Sequence, residues 1–290
     1  MNEIKFITQN IETKRPSTTQ LLLHNFNFVV GAVILIILII NTVFAPLIAT
    51  ENVNQANPTQ TFLPPSNEHL MGTDNIGRDI WSRVIYGGRV SLAVGLAAMI
   101  IGMVFGTLIG IVAGFYGSWV DSLLSWATEV LMAFPGILLA LTVMAILGPG
   151  LSNVIVAVGV GSIPQFMRMA RSSVMKTREL DFIDAARTIG CTDAQILFRH
   201  ILPNILRPLI VLATLGIGGA ILEGASLSYL GLGAQPMTPE WGSMLSNGRA
   251  YLGNAWWISV FPGIGIFLAI LSINMIGEGF NEVLDPSNRQ

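Results

Sequence analysis

The chain has 290 residues, 52% hydrophobic and 11% charged, with a mean hydropathy of +0.65 and a net charge of −2. Soluble domains carry about 25% charge, so an ordinary soluble fold is excluded, and no basic patch offers a partner to a nucleic-acid backbone. The single cysteine, Cys191, excludes an intramolecular disulfide and a cysteine-cluster metal site, and His24, His69 and His200 match no ligand spacing.

A membrane helix needs about 20 mostly apolar residues. Six tracts qualify, at 26–48, 90–115, 123–147, 154–169, 208–230 and 256–276. The expected fold class is therefore all-α, a polytopic membrane protein with about six transmembrane helices. A short N-terminal segment, 1–25, precedes the first span. That span reads as an anchor rather than a cleaved signal peptide, because its apolar run is too long and no A-x-A site comes after it.

Between spans one and two, "TENVNQANPTQTFLPPSNEHL" is rich in Asn and Pro and predicts irregular chain. The next stretch, "MGTDNIGRDIWSRVIYGGRVSL", carries Ile76, Ile80, Trp81 and Val84 at helical spacing, with Asp79 and Arg83 as i,i+4 partners. It predicts an amphipathic helix lying on the membrane surface within the 26–89 region. The core then runs over 90–286, with a 287–290 tail. In span two, Gly102, Gly106, Gly110 and Gly114 recur every four residues, a ridge suited to close helix approach. Packing is the preferred reading over the lining of a passage. "LGPGLSN" divides spans three and four, and prolines interrupt the apolar tracts at "AFPG" and "SIPQ".

Two carboxylates fall inside spans, Glu129 and Glu223. Such groups are functional candidates because charge in lipid is costly; an interhelical hydrogen bond is the plainer alternative. The chain contains no G-x-x-x-x-G-K-[ST], no H-E-x-x-H, no serine nucleophile elbow and no paired-cysteine motif. Nothing suggests catalysis within it.

Six spans place both termini on one side. Eleven of the fifteen Lys and Arg residues lie on that side, seven of them crowding the loop between spans four and five. By the positive-inside rule, the termini and this 170–207 loop are expected in the cytosol. The loop contains "DAARTIGCTDAQILFRHILPN", which reads as two short helices. Phe182, Ala185, Ala186 and Ile189 make an apolar stripe. Gly190 stands at a helix stop, Thr192 and Gln195 form a capping-box pair, and Pro203 ends the second piece or begins the next helix. The stripe suits either docking into a partner's groove or packing on the protein's own helices.

This segment resembles the EAA loop of bacterial ABC-importer permeases, with Asp184-Ala185-Ala186, then Gly190, then Ile201-Leu202-Pro203. Asp184 stands where the general motif has Glu. Three further stretches are similar to the C-type subunit of the oligopeptide/dipeptide permeases: "MGTDNIGRDIWSRVIYGGRVSL", "EGASLSYLGLGAQPMTPEWGSML" and "GEGFNEVLDP". The likeness covers roughly 26–286. One departure is that Trp126 stands where members of the family often carry an Arg ahead of an acid, here Glu129, so no ion pair forms between those positions.

The resemblance implies a type I ABC importer permease fold in the bacterial inner (plasma) membrane. It implies a second, B-type permease, two ATP-binding subunits carrying ATP and magnesium, and an extracytoplasmic solute-binding protein. It assigns ATPase coupling to Phe182, Asp184, Ala185, Ala186, Ile189, Gly190, Ile201, Leu202 and Pro203. No cofactor is expected in this chain itself. The expected cargo is di- or oligopeptides, with glutathione or nickel as alternatives within the family. A secondary transporter or channel would instead predict inverted repeats or several intramembrane charges, and a membrane enzyme would need the missing motifs.

Overall fold

In a computed structural model, residues 18–234 and 237–284 are described. Lys5, Lys14, Arg15, Pro286, Arg289 and the 287–290 tail lie outside them. All regular structure among the described residues is helical, apart from one isolated bridge between Thr73 and Asp79.

Helix α1 (Thr18–His24) leads into α2 (Phe26–Val43), which Asn25 caps by accepting the Phe28 N–H at 3.0 Å. A one-turn α3 (Ala45–Ile48) comes next. The main body comprises α4 (Ile80–Tyr116), α5 (Ser118–Met132), α6 (Gly136–Leu147) and α7 (Leu151–Arg178). Then come α8 (Asp181–Thr188), α9 (Asp193–Tyr229), α10 (Trp241–Gly248) and α11 (Trp257–Leu284). Helices α2, α4, α9 and α11 are each long and apolar enough to cross a membrane, and α5 with α6 supplies another crossing if the bent pair counts as one span.

Helix α7 does not qualify on composition, because Ser152, Asn153, Gln165 and Arg168 dilute its apolar tract. Its place is set by packing. A Cβ on Gly102, Gly106, Gly110 or Gly114 would stand 2.6, 2.6, 2.7 or 2.9 Å from the Cβ of Ser162, Phe166, Ala170 or Val174. Each partner lies sixty positions further on, so α4 and α7 run parallel along the whole ridge. The glycines are where the two backbones meet, as small residues in membrane helices allow. Helix α9 lies antiparallel to α11, with Gly218 against Asn274 and Gly277 against Leu215, and α2 lies antiparallel to α11 through Gly31 and Met275.

Several sequence expectations change. The predicted surface helix is the beginning of α4, whose 37 residues span about 55 Å, well beyond the ~30 Å apolar layer. Ile80, Ser82 and Arg83 are buried there, while Ile76 sits in the preceding turn. Asp79 does not pair with Arg83. It caps α4 by accepting the Ser82 N–H at 2.8 Å and meets His69 Nδ1 at 3.2 Å, while Arg83 donates to the Val53 carbonyl at 2.8 Å. Span three is not straight: α5 and α6 meet at 96°. Pro135 lacks an N–H and disfavours helical geometry at Phe134. Pro164, by contrast, leaves α7 continuous.

The molecule has two distinct ends. One, the cap end, carries residues 49–79 and α10. Trp257 Nε1 ties it down by donating to the Thr73 carbonyl at 3.1 Å, and Trp241 Nε1 donates to the Val84 carbonyl at 2.8 Å. The other, the basic end, gathers the α4–α5 turn, the C-terminus of α7, and α8.

A helical platform at the basic end

Helix α8 is short, so its ends decide its geometry. Asp181 and Asp184 occupy its first turn, where the helix dipole favours negative charge. At the other end, Gly190 N–H donates to the Arg187 carbonyl at 3.0 Å and Cys191 N–H to the Ala186 carbonyl at 3.1 Å. With Gly190 at φ +88°, this pair of bonds is a Schellman motif, and the left-handed residue is the reason for a glycine. Thr192 and Gln195 then form the expected capping box, with Thr192 N–H donating to Gln195 Oε1 at 2.8 Å.

Downstream, the expectation of a second short helix gives way to continuous structure. The capping box opens α9, which passes through a π-helical stretch at Ile196–Ile201 and runs on to Tyr229. Pro203 sits in the first turn of the α-helical part, Leu202–Tyr229, in keeping with the expectation that it begins the next helical stretch. It stands one position after Leu202, whose N–H reaches back five residues to the Leu197 carbonyl.

The apolar stripe divides between two faces. Ala186 is 4% exposed and, with the fully buried Ile183, enters the core shared by α4, α6, α7 and α9. Phe182, Ala185 and Ile189 face outward, Phe182 at 41% and Ile189 at 80% exposure. Asp184 and Gly190 are exposed as well. Ile201 is buried, Leu202 half-buried and Pro203 exposed. Phe198 in the π stretch, 66% exposed, adds an apolar group that the sequence pattern did not single out. Its signal was hidden because a π turn shifts the helical register.

Arginines fix this platform to the bundle. Arg178 Nη1 donates to the Gly114 carbonyl at 2.9 Å, occupying an acceptor at the end of α4. Arg187 of α8 lies over the Phe115 ring, 5.9 Å from its centroid. Arg171 holds Asp121 in a two-pronged ion pair, its Nη2 at 2.6 Å from Oδ2, which joins α5 to α7. Ile183 and Ala186 of α8 share one buried cluster with Phe115 of α4.

The two intramembrane acids lie elsewhere. Glu129 is exposed on α5. Glu223 is half-buried on α9, and its Oε1 lies 3.1 Å from where a Cβ on Gly136 would stand. Neither forms an ion pair among the described residues. Those residues also contain no group of three or more His, Cys, Asp or Glu side chains placed to hold a metal.

Comparison with known proteins agrees with this architecture. Residues 106–290 match the family model of binding-protein-dependent transport system inner membrane components, and residues 20–65 match the N-terminal TM domain of oligopeptide transport permease C. A dipeptide transport system permease protein from Alkalihalophilus pseudofirmus is 47% identical, over 89% of this chain and 85% of that protein. A putative peptide transport system permease protein from Brucella abortus is 46% identical over 93% and 90%. A glutathione transport system permease protein from Escherichia coli is 46% identical over 88% and 85%. A chain of the MetNI methionine ABC transporter in an inward-facing conformation superposes with a TM-score of 0.56 at 21% identity, covering 70% of this chain and 96% of that one. At that identity the likeness is one of fold.

Proposed function

Because the chain belongs to the family of binding-protein-dependent transport system inner membrane components, we propose that it forms one half of the pore of an ATP-driven importer of short peptides. The substrate class is that of the relatives, whose names specify dipeptides, peptides and glutathione, itself a short peptide. In this reading α7 crosses beside α4 as a sixth span, and the basic end and both termini face the cytosol. A B-type permease supplies the other half of the pore, two ATP-binding subunits dock at the basic end, and a solute-binding protein delivers cargo to the cap end.

The single observation that carries this reading is the two-faced α8. Ile183 and Ala186 root it in the bundle, while Phe182, Ala185 and Ile189 present an apolar surface at the end richest in Arg. A rooted helix with an outward apolar face takes a push from a neighbouring subunit and passes it to α4, α7 and α9 as a rigid element. Such movement switches the pore between inward-facing and outward-facing states. Native mass spectrometry of the complex purified through this chain tests the assembly. One copy of it, one different permease and two ATPases are expected, with peptide uptake into vesicles when the binding protein is added. Two copies of this chain without a second permease, or an intact complex that takes up no peptide, would overturn the proposal.

A further inference from the structure

Glu223 is a carboxylate for which the described residues provide no partner: it is half-buried within α9, pairs with no Lys, Arg or His, and accepts no hydrogen bond from them. It shares one face of α9 with Gly219 and Ser226, at i−4 and i+3, and a Cβ on Gly219 would meet nothing within 4 Å. That face is therefore small, polar and uncovered. Opposite Glu223 stands Gly136, the first residue of α6, just past the 96° break in span three. A bulkier side chain at Gly136 would meet the carboxylate directly, so the glycine keeps the space open. An unpaired carboxylate facing hydrocarbon is costly, which favours a polar occupant over lipid on this face. An intramembrane carboxylate is by default a functional candidate, and this one sits beside a broken span.

We infer that Glu223, at the break between α5 and α6, receives the ammonium group of the passing peptide in the translocation path. The inference rests on the peptide-permease reading given above. The chemistry of the site is one-sided. No Lys, Arg or His among the described residues pairs with the carboxylate, so the site offers a negative charge alone and discriminates by the cationic end of the cargo. A free peptide carries that ammonium at its N-terminus, and a carboxylate accepts from it in a charge-assisted hydrogen bond.

The test uses the full transporter in vesicles with its binding protein and a radiolabelled dipeptide. Glu223→Gln is expected to lower uptake about tenfold or more, the scale of losing one charge-assisted hydrogen bond, while Glu223→Asp retains most of it. Glu223→Cys, in a Cys191→Ser background, should react with soluble methanethiosulfonates. An anionic sulfonatoethyl reagent should restore uptake, and a cationic aminoethyl reagent of similar length should not. Wild-type uptake in Glu223→Gln, or equal effects of the two reagents, would overturn the inference and leave the peptide-permease reading standing. Loss of the second permease from the Glu223→Gln complex would also overturn it, by showing that the carboxylate holds a subunit instead of cargo. A wild-type complex inactive with every peptide would remove the peptide reading and this inference with it.

Discussion

Gly106→Ala adds one methyl group where α4 and α7 meet closely. Its Cβ would stand 2.6 Å from the Ile163 carbonyl oxygen, 2.6 Å from Phe166 Cβ and 3.0 Å from Met167 N. Carbon atoms rest about 3.5–4.0 Å apart, so the helices must part by roughly 1 Å. Two of the three obstacles are backbone atoms, which cannot swing aside. Overpacking of this kind costs about 1–3 kcal/mol. Replacing a helical glycine by alanine also gains about 1 kcal/mol of helix propensity, which blurs a single measurement. Gly161→Ala is the proper reference, because a Cβ there meets nothing within 4 Å and the propensity gain is shared. Gly106→Ala should therefore unfold below Gly161→Ala, by about 2–4 °C for each kcal/mol in a chain of this size. Thermal unfolding of the two purified variants in the same detergent reads the gap directly. Equal midpoints would refute the packing argument and return the glycine ridge to a pore-lining role.

Gly190→Ala meets no atom within 4 Å, yet φ is +88°. It should cost about 1–2 kcal/mol from backbone strain alone, seen as faster amide exchange across α8, with Gly190→Val worse. Glu240 is buried, caps α10 through the Gly242 and Ser243 N–H groups at 2.8 Å each, and receives the Ser91 hydroxyl at 3.2 Å. Glu240→Ala should destabilise the cap end by about 1–2 kcal/mol, read as cleavage near α10 at lower protease concentration. For orientation, single cysteines replacing Asn67 and Glu179, both exposed, in a Cys191→Ser background should differ in intact cells. An impermeant thiol reagent should label position 67 and spare position 179, and the opposite pattern would invert the topology.

Local chemistry was the part of this fold most legible in the sequence. Gly190, the Thr192–Gln195 box, the "LGPGLSN" turn and the glycine ridge each depend on a few adjacent residues, and each stands where its chemistry indicates. Features that depend on distant partners were not legible. The carboxylate of Asp79 has an equally suitable partner four residues along, and only the folded loop brings His69 to it, while the Ser82 N–H that it caps is local. The i, i+3, i+4, i+7 pattern treated Phe182, Ala185, Ala186 and Ile189 as one surface. On an eight-residue helix with bundle on one side, that stripe is wide enough to split, and Ile183 with Ala186 takes the buried half. The apolar tract at 154–169 was legible, but α7 extends to Arg178 and its place beside α4 comes from the small residues on α4.

The central claim is that the outward face of α8 is where the ATPase engages. Single cysteines at Phe182, Ala185, Ile189 and Ile183 in the Cys191→Ser background, treated with a short thiol-to-amine cross-linker in the intact complex, address it most directly. The first three are expected to join to the ATP-binding subunit, and Ile183, buried against the bundle, is not. Cross-linking from Ile183 alone, or from none of the three outward positions in a complex that still retains its ATPase, would contradict it.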